Sequence, residues 1–138
     1  MRHQMRALIV EDDEVSRLAL GKVLSSYGQC EFAVNGMQAV ELFEKAALAG
    51  NPYEVVFLDI LIPGLGGNEV LSRIRSREEE LRVPREKAVK IIMTTGVSDV
   101  DTVVDAHASG CDTYLLKPIA RDVLQRELVR LQLISPVK

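Results

Sequence analysis

The sequence predicts a single α/β domain built on a doubly wound, five-stranded parallel sheet with helices on both faces. Short apolar runs alternate with amphipathic stretches along all 138 residues. The runs are too short for helices and are rich in β-branched or large apolar residues. The first and third runs have no polar alternation, as expected for strands covered on both faces of a parallel sheet. The length leaves room for one core.

The predicted strands and helices follow one another in five βα units, which implies right-handed crossovers. The strands are expected at residues 7–10, 30–34, 55–58, 89–93 and 114–116. The helices are expected at residues 15–27, 37–48, 68–79, 98–109 and 119–133, after Pro118. The apolar positions of the first helix include Leu18, Val23 and Leu24. In the last helix the residues expected to face inward are Val123, Leu124, Leu128 and Leu131.

Composition excludes several classes of function. The net charge of −3 provides no broad basic face, so binding to nucleic acid is not expected. No apolar run approaches the roughly 20 residues of a membrane span, and no signal peptide opens the chain, so a cytoplasmic location is expected. Cys30 and Cys111 are expected to be buried, reduced thiols.

Polar residues follow four of the predicted strands. They are the acids of residues 11–14, Asp59, the pair Thr94 and Thr95, and Lys117. Ligands of open parallel sheets bind at the carboxyl ends of the strands, so these groups are expected to converge on one rim. This convergence predicts the position of the functional site.

The first strand ends in four acids rather than in a glycine-rich turn. Carboxylates there would repel a phosphate, which argues against a dinucleotide or P-loop site. Carboxylates gathered with Asp59 suit Mg²⁺ or Mn²⁺. The alternative is a solvated cluster in which Asp13 or Glu14 favours the positive end of the first helix.

Asp59 directly follows an apolar strand, where a charged side chain is costly without a partner. Lys117 ends another buried strand, and a simple ion pair between the two is one interpretation. A cation, a lysine and the hydroxyl of Thr95 around one carboxylate are also the groups that phosphoryl transfer to that carboxylate requires. We favour the second interpretation.

Four motifs, each at a strand end, together resemble the receiver domain of bacterial two-component response regulators. They are LIVEDD at residues 8–13, LDILIP at 58–63 with Gly67, IIMTTG at 91–96 and YLLKP at 114–118. Each motif is weak alone, but the four occur in order. The resemblance covers residues 6–133, with tails at residues 1–5 and 134–138.

The resemblance implies a role for each acidic position. Asp59 would be the phosphoacceptor. Glu11 and Asp12 would be the acidic pair of a Mg²⁺ (or Mn²⁺) site, with Asp12 ligating the metal directly, and Asp59 and the carbonyl of Leu61 would complete the protein ligands. A contribution from Asp13 to the metal site stays open.

The resemblance also implies roles for the fourth and fifth strand ends. Lys117 would contact the phosphoryl group, and the bond between Lys117 and Pro118 would be cis. Thr95 would be the switch hydroxyl, and Tyr114 the aromatic residue that changes rotamer with it. The alternative for Tyr114 is an aromatic side chain that packs on a helix.

The resemblance further implies a flavodoxin-like strand order of 2-1-3-4-5 and a function in phosphorelay signalling. The donor would be a phosphohistidine on a sensor histidine kinase or a histidine phosphotransfer protein, and the target would be another protein. Phosphorylation would change the surface of the fourth helix, fifth strand and fifth helix, through which a homodimer could also form. No output domain follows the fifth helix, so a stand-alone receiver is expected; a fragment of a longer regulator is the alternative.

Two rival functions are disfavoured. A haloacid-dehalogenase-type phosphatase would need an acid two residues after Asp59, where this chain has Leu61. A degenerate receiver that serves only as an interaction module would lack some site residues, yet all are present.

The resemblance also places Leu61 and Val97 beside the expected path of water to the phosphoryl group. Their aliphatic side chains cannot orient an attacking water, so slow autodephosphorylation is expected.

The connections at residues 47–53 and 75–87 are long for the family and lie at the opposite rim. The mixed-charge run at residues 76–80 is interpreted as a solvated helix end, with docking of a partner as the alternative.

Overall fold

The fold is known from a computed structural model, which describes residues 4–96 and 110–136. The strands in these ranges are β1 (Met5–Val10), β2 (Gly28–Ala33), β3 (Val55–Asp59), β4 (Lys90–Thr95) and β5 (Thr113–Leu116). The helices are α1 (Glu14–Leu24), α2 (Gly36–Leu48), α3 (Gly67–Glu80) and α4 (Arg121–Arg130), with a 3₁₀ turn at Arg85–Lys87. The helix predicted at residues 98–109 lies outside the described residues, and α4 corresponds to the predicted fifth helix.

The five strands form one parallel sheet in the order β2-β1-β3-β4-β5. This confirms the predicted fold class and strand order. β3 lies at the centre, and all five of its residues are buried. Every residue of β1 except Arg6 is buried as well, in agreement with the absence of polar alternation in both strands.

Each face of the sheet carries its own apolar core. Alternate residues of β1 point to opposite faces, so that Leu8 and Val10 contribute to one core and Ala7 and Ile9 to the other. The helices α2 and α3 cover the first face, with Phe43 and Leu71 among their buried side chains. The helices α1 and α4 cover the second face through Leu20, Leu24, Leu124 and Leu128.

Side-chain caps fix the starts of α1 and α2. Asp13 Oδ2 accepts a hydrogen bond from the Ser16 N–H at 2.8 Å, and Asn35 Oδ1 accepts one from the Gln38 N–H at 2.8 Å.

None of the helices in the described ranges is both long and apolar enough to span a bilayer. Cys111 is buried and Cys30 half-buried, and both are free thiols.

Two predictions about helix faces are wrong. Val123 is exposed rather than inward-facing, because α4 buries a narrower stripe that contains Leu124 and Leu128. The apolar Leu18 of α1 is exposed as well. Glu78 was expected on a solvated helix end, yet it is buried. Its carboxylate accepts a hydrogen bond from the Val89 N–H at 2.7 Å, which satisfies a backbone donor at the start of β4.

Arg75 joins Glu78 in a buried network at the amino-terminal rim of the sheet. Its guanidinium donates to Glu78 Oε1 at 2.7 Å, to Asp112 Oδ2 at 3.0 Å and to the Val89 carbonyl at 2.8 Å. Asp112 Oδ2 also accepts from the Ile91 N–H at 2.7 Å. The network therefore ties α3 to the beginnings of β4 and β5.

Candidate functional site

The register of the sheet brings four strand ends to one rim. Val10 pairs with Leu58, so that Glu11 lies beside Asp59, the last residue of β3. Asp59 pairs in turn with Thr94 of β4. Thr95 pairs with Leu116 of β5, which places Lys117 at the same level. The convergence predicted from the sequence is confirmed for these residues.

Lys117 lies between two buried carboxylates. Its Nζ atom donates to Glu11 Oε1 at 2.5 Å and to Asp59 Oδ2 at 3.0 Å. Glu11 and Asp59 are only 5% and 6% exposed, while 30% of the Lys117 side chain reaches solvent. Charged groups with so little exposure need partners of opposite charge, and the single ammonium group serves both acids.

Burial and the neighbouring charges shift the pKa values of Glu11 and Lys117. Burial, and a hydrogen bond with the neighbouring Asp59, raise the pKa of Glu11 above its ordinary value, although Lys117 opposes this. Burial alone would lower the pKa of Lys117, but its hydrogen bonds to Glu11 and Asp59 outweigh burial and raise that pKa. The proximity of Asp59 therefore disfavours the charged form of Glu11 even though Lys117 lies between the two carboxylates.

Asp12 adds a third carboxylate to the cluster. One oxygen each from Glu11, Asp12 and Asp59 lies within 4.8 Å of the others, and Asp12 is exposed at the mouth of the site. Three carboxylates around one ammonium group leave an excess of negative charge. Hard oxygen donors at this spacing fit a divalent cation such as Mg²⁺ or Mn²⁺.

Asp13 is the N-cap of α1 and is not one of the three acids whose oxygens lie within 4.8 Å of one another. The hydrogen bonds from Ser16 lower the pKa of Asp13. Its own N–H donates to Glu11 Oε2 at 3.3 Å, so the acidic loop is tied to the first turn of α1. The alternative assigned to Asp13 from the sequence, a helix-capping role, is thus present beside the acidic cluster.

Leu61 follows Asp59 on the loop between β3 and α3, whose residues are Ile60–Gly66. The Leu61 N–H donates to Asp59 Oδ1 at 3.0 Å, which holds the carboxylate and the loop together. The Leu61 side chain is 67% exposed. The buried neighbours Ile60 and Ile62 anchor the loop in the core.

Thr95 and Tyr114 lie on neighbouring strands next to this group. Thr95 is buried, and its hydroxyl donates to the Gly96 carbonyl at 3.2 Å. Tyr114 on β5 is 41% exposed. The bond between Lys117 and Pro118 is cis, as expected.

The family model for the response regulator receiver domain matches residues 7–129. The chain belongs to this family. Among curated relatives, sporulation initiation phosphotransferase F of Bacillus subtilis is 31% identical over 121 residues, which span 87% of each chain. The receiver chain spans 53% or less of the length of several other curated relatives. Membership places it among the signalling domains of two-component phosphorelays.

Solved receiver structures share this fold. The receiver domain of sensor histidine kinase PA1611 from Pseudomonas aeruginosa, with a magnesium ion in its active-site cleft, is 28% identical with a TM-score of 0.75. That match covers 94% of this chain and 98% of the other. The receiver domain of Ssk1 from Saccharomyces cerevisiae, crystallised with the phosphotransfer protein Ypd1, is 25% identical with a TM-score of 0.81, over 99% and 94% of the two chains.

Sequence reasoning missed Arg17 at this rim. Its guanidinium donates a hydrogen bond to the Glu11 carbonyl at 3.1 Å and so stabilises the backbone of the acidic loop. The sequence does place this basic residue in the first turn of the helix that follows the four acids, and that position could have predicted the contact.

Proposed function

We propose that Asp59 accepts a phosphoryl group from a phosphohistidine, and that Glu11, Asp12 and Asp59 hold a divalent cation beside it. The carrying observation is that three carboxylates, those of Glu11, Asp12 and the buried Asp59, lie within 4.8 Å of one another around the single ammonium group of Lys117. One ammonium group does not balance three carboxylates. The surplus of acid supports a site whose charge is completed by ligands.

The proposed transfer is an in-line displacement at phosphorus. An oxygen of the Asp59 carboxylate forms a bond to phosphorus while the bond from phosphorus to the donor's imidazole nitrogen breaks. The electron pair of that bond stays on the imidazole, which takes up a proton. Lys117 can then move its hydrogen bond from the carboxylate to a phosphoryl oxygen, where its charge offsets that of the transferred group.

A divalent cation bound by the acidic cluster would supply further charge neutralisation for the phosphoryl oxygens. Glu11, Asp12 and Asp59 offer the carboxylate oxygens, and the Leu61 carbonyl is the proposed fourth protein ligand. The N–H of Leu61 keeps Asp59 Oδ1 oriented, so the carboxylate does not rotate freely between its partners.

The proposed output is a shift between two conformations that differ in the surface around Tyr114. A phosphoryl group on Asp59 would offer an acceptor to the Thr95 hydroxyl, and Tyr114 would follow Thr95. Tyr114 lies at the edge strand β5 and is 41% exposed, so a rotamer change there alters the surface that a target protein meets. A homodimer through β5 and its flanking helices is a further proposal for the same surface.

We propose that the phosphodonor docks on the face around Asp59, because the imidazole of its phosphohistidine must reach the Asp59 carboxylate. Val15 of α1 is 76% exposed and lines a groove of about 260 Å³ together with Glu11 and Lys117. Leu18 is exposed one turn further along α1. Exposed apolar side chains beside a charged site suit a protein partner better than a small phosphate ester. We therefore propose a histidine kinase or phosphotransfer protein as donor.

We propose that the domain is not a turnover enzyme. The side chain two residues after Asp59 belongs to Leu61, which cannot donate or accept a proton. Hydrolysis of phosphate esters by a general acid at that position is therefore not expected.

The test is phosphorylation of the protein by acetyl phosphate in the presence of Mg²⁺, followed by intact-mass spectrometry. The wild type is expected to gain one phosphoryl group, and Asp59→Asn to gain none, because an amide oxygen is a poor nucleophile. Asp122→Asn is the matched control, since Asp122 lies exposed at the start of α4. Labelling of Asp59→Asn at the wild-type level would refute the proposal, as would a wild type that stays unlabelled with Mg²⁺ both by acetyl phosphate and by a phosphorylated histidine phosphotransfer protein.

A further inference from the structure

Gly36 is the first residue of α2 and is buried against the loop Ile60–Gly66. A Cβ atom on Gly36 would overlap the carbonyl oxygen of Leu65 and would lie 2.6 Å from the Leu65 Cβ atom. The Gly36 N–H also points to the Pro63 carbonyl at 3.4 Å. The absence of a side chain therefore lets α2 and the loop come into backbone contact.

We infer that Gly36 is a positioning residue for the divalent-cation site, acting through the loop that carries Leu61. The inference rests on the proposed function, because the Leu61 carbonyl is the proposed ligand. Leu61 lies two residues before Pro63, and Gly36 contacts the loop both at Pro63 and at Leu65.

A side chain at Gly36 would displace the loop rather than the helix. The helix α2 is anchored in the core by Ala39, Phe43 and Ala46, which are all buried. Ile60 and Ile62 anchor the first half of the loop, whereas its second half contains the exposed Gly64 and Gly66 and yields more easily.

The overlap with Leu65 lies beyond Gly64 as seen from Leu61, so Gly64 can absorb part of that displacement. The hydrogen bond from the Gly36 N–H to the Pro63 carbonyl lies on the Leu61 side of Gly64 and changes when the loop moves away from α2. Proline fixes its own φ and restricts the residue before it, so the segment from Ile62 to Pro63 is stiff. Movement at the Pro63 carbonyl is therefore passed towards Leu61 and the amide that orients Asp59.

The loop provides a matched control. Gly66 has φ −65°, and a Cβ atom there would meet nothing within 4 Å. Gly36 is the first helical residue of α2, where alanine has the higher helix propensity. Gly66 is the N-cap of α3, where alanine is less favourable than glycine, so the stability of both variants is measured beside their Mg²⁺ affinity. The two variants differ in the contact with the loop.

The experiment measures the Mg²⁺ dissociation constant by calorimetry, together with urea unfolding in EDTA. Gly36→Ala is expected to weaken Mg²⁺ binding about tenfold, and Gly66→Ala by less than about twofold, as for other residues that orient a metal ligand. Equal Mg²⁺ affinity in the two variants, with intact Mg²⁺ binding by the wild type, would overturn the inference. A wild type that binds no Mg²⁺ would instead overturn the proposed function.

A second measurement covers the case in which Gly36→Ala does not fold. Amide spectra of the ¹⁵N-labelled wild type are recorded during a Mg²⁺ titration. The Gly36 amide should shift in parallel with Leu61, because it points to the Pro63 carbonyl, while the amide of Gly50 at the far end of α2 should not. A Gly36 signal that stays still while Leu61 shifts would contradict the coupling.

Discussion

The two rims of the sheet each hold a basic residue between two acids of low exposure, yet the two clusters differ in how completely their charges are satisfied. At the amino-terminal rim, Arg75 spans Glu78 and Asp112, and backbone N–H groups supply further donors to both carboxylates. At the carboxyl rim, Lys117 spans Glu11 and Asp59, which also accept hydrogen bonds from backbone N–H groups. The difference is a third acid at this rim, Asp12, which adds negative charge beside the single ammonium group.

On the proposed function, the difference separates a cluster that holds the fold together from one that binds a cation and a phosphoryl group. Arg75 offers several donors in a fixed plane, and it uses them on side chains and carbonyls of three segments. Lys117 offers a compact charge on a flexible stem, which can follow a phosphoryl group. The geometry of Arg75 thus suits a fixed structural network, and that of Lys117 suits the proposed binding of a phosphoryl group.

The largest expected effect is the loss of the amino-terminal cluster. Arg75→Met should lower the free energy of unfolding by about 3 kcal/mol, because it leaves the buried Glu78 carboxylate without its cation. The control is Arg73→Met, which removes an exposed ion pair with Glu69 and should cost no more than about 0.5 kcal/mol. Urea unfolding measures both, and equal losses would show that the buried network adds nothing to stability.

A smaller effect is expected at the carboxyl rim. Lys117→Met in EDTA should cost about 1–2 kcal/mol, less than Arg75→Met, because Glu11 already has a raised pKa and can take up a proton. Added Mg²⁺ should restore the stability of Lys117→Met by binding the folded state, but should not reverse the loss from Arg75→Met. A Lys117→Met protein that gains nothing from Mg²⁺ would break the contrast between the rims.

The smallest expected effect concerns the lifetime of the phosphorylated state. Leu61 is exposed beside Asp59 and offers no group to orient water, so autodephosphorylation of the wild type should be slow. The variant Leu61→Asn with Val97→Glu should lose phosphate several-fold faster, since polar side chains can position the attacking water. Val97 lies outside the described residues. Leu61→Met, which stays apolar, is the control; phosphate loss from the wild type as fast as from the double variant would refute the expectation.

The strands and the strand ends were predictable because their signals are local. A run such as residues 55–58 is apolar throughout, and only a strand buried on both faces explains it at that length. The rule that parallel strands end on one rim then predicts that the acids after β1, Asp59 at the end of β3 and Lys117 after β5 lie close together.

Glu78 was not predicted because its partners are distant in the chain. Its mixed-charge neighbourhood is typical of a solvated helix end, whereas its burial depends on Arg75 and on the N–H of Val89. One local signal was available: Glu78 lies four residues after the buried Ile74 on the same helix face. The contact of Gly36 with Leu65 had no local signal, because it depends on how α2 meets a loop from another unit.

The fully buried central strand has a consequence for how such a chain can diversify. Asp59 sits at the end of β3, where every residue is packed from both sides, so the chemistry is confined to the part of the molecule least free to vary. The exposed Val15 and Leu18 lie on α1 and contribute little to either core. If the phosphodonor docks on α1 as proposed, substitutions at these exposed positions can change the choice of partner without disturbing the packing around Asp59, so that duplicated copies can diverge in the partners that they recognise.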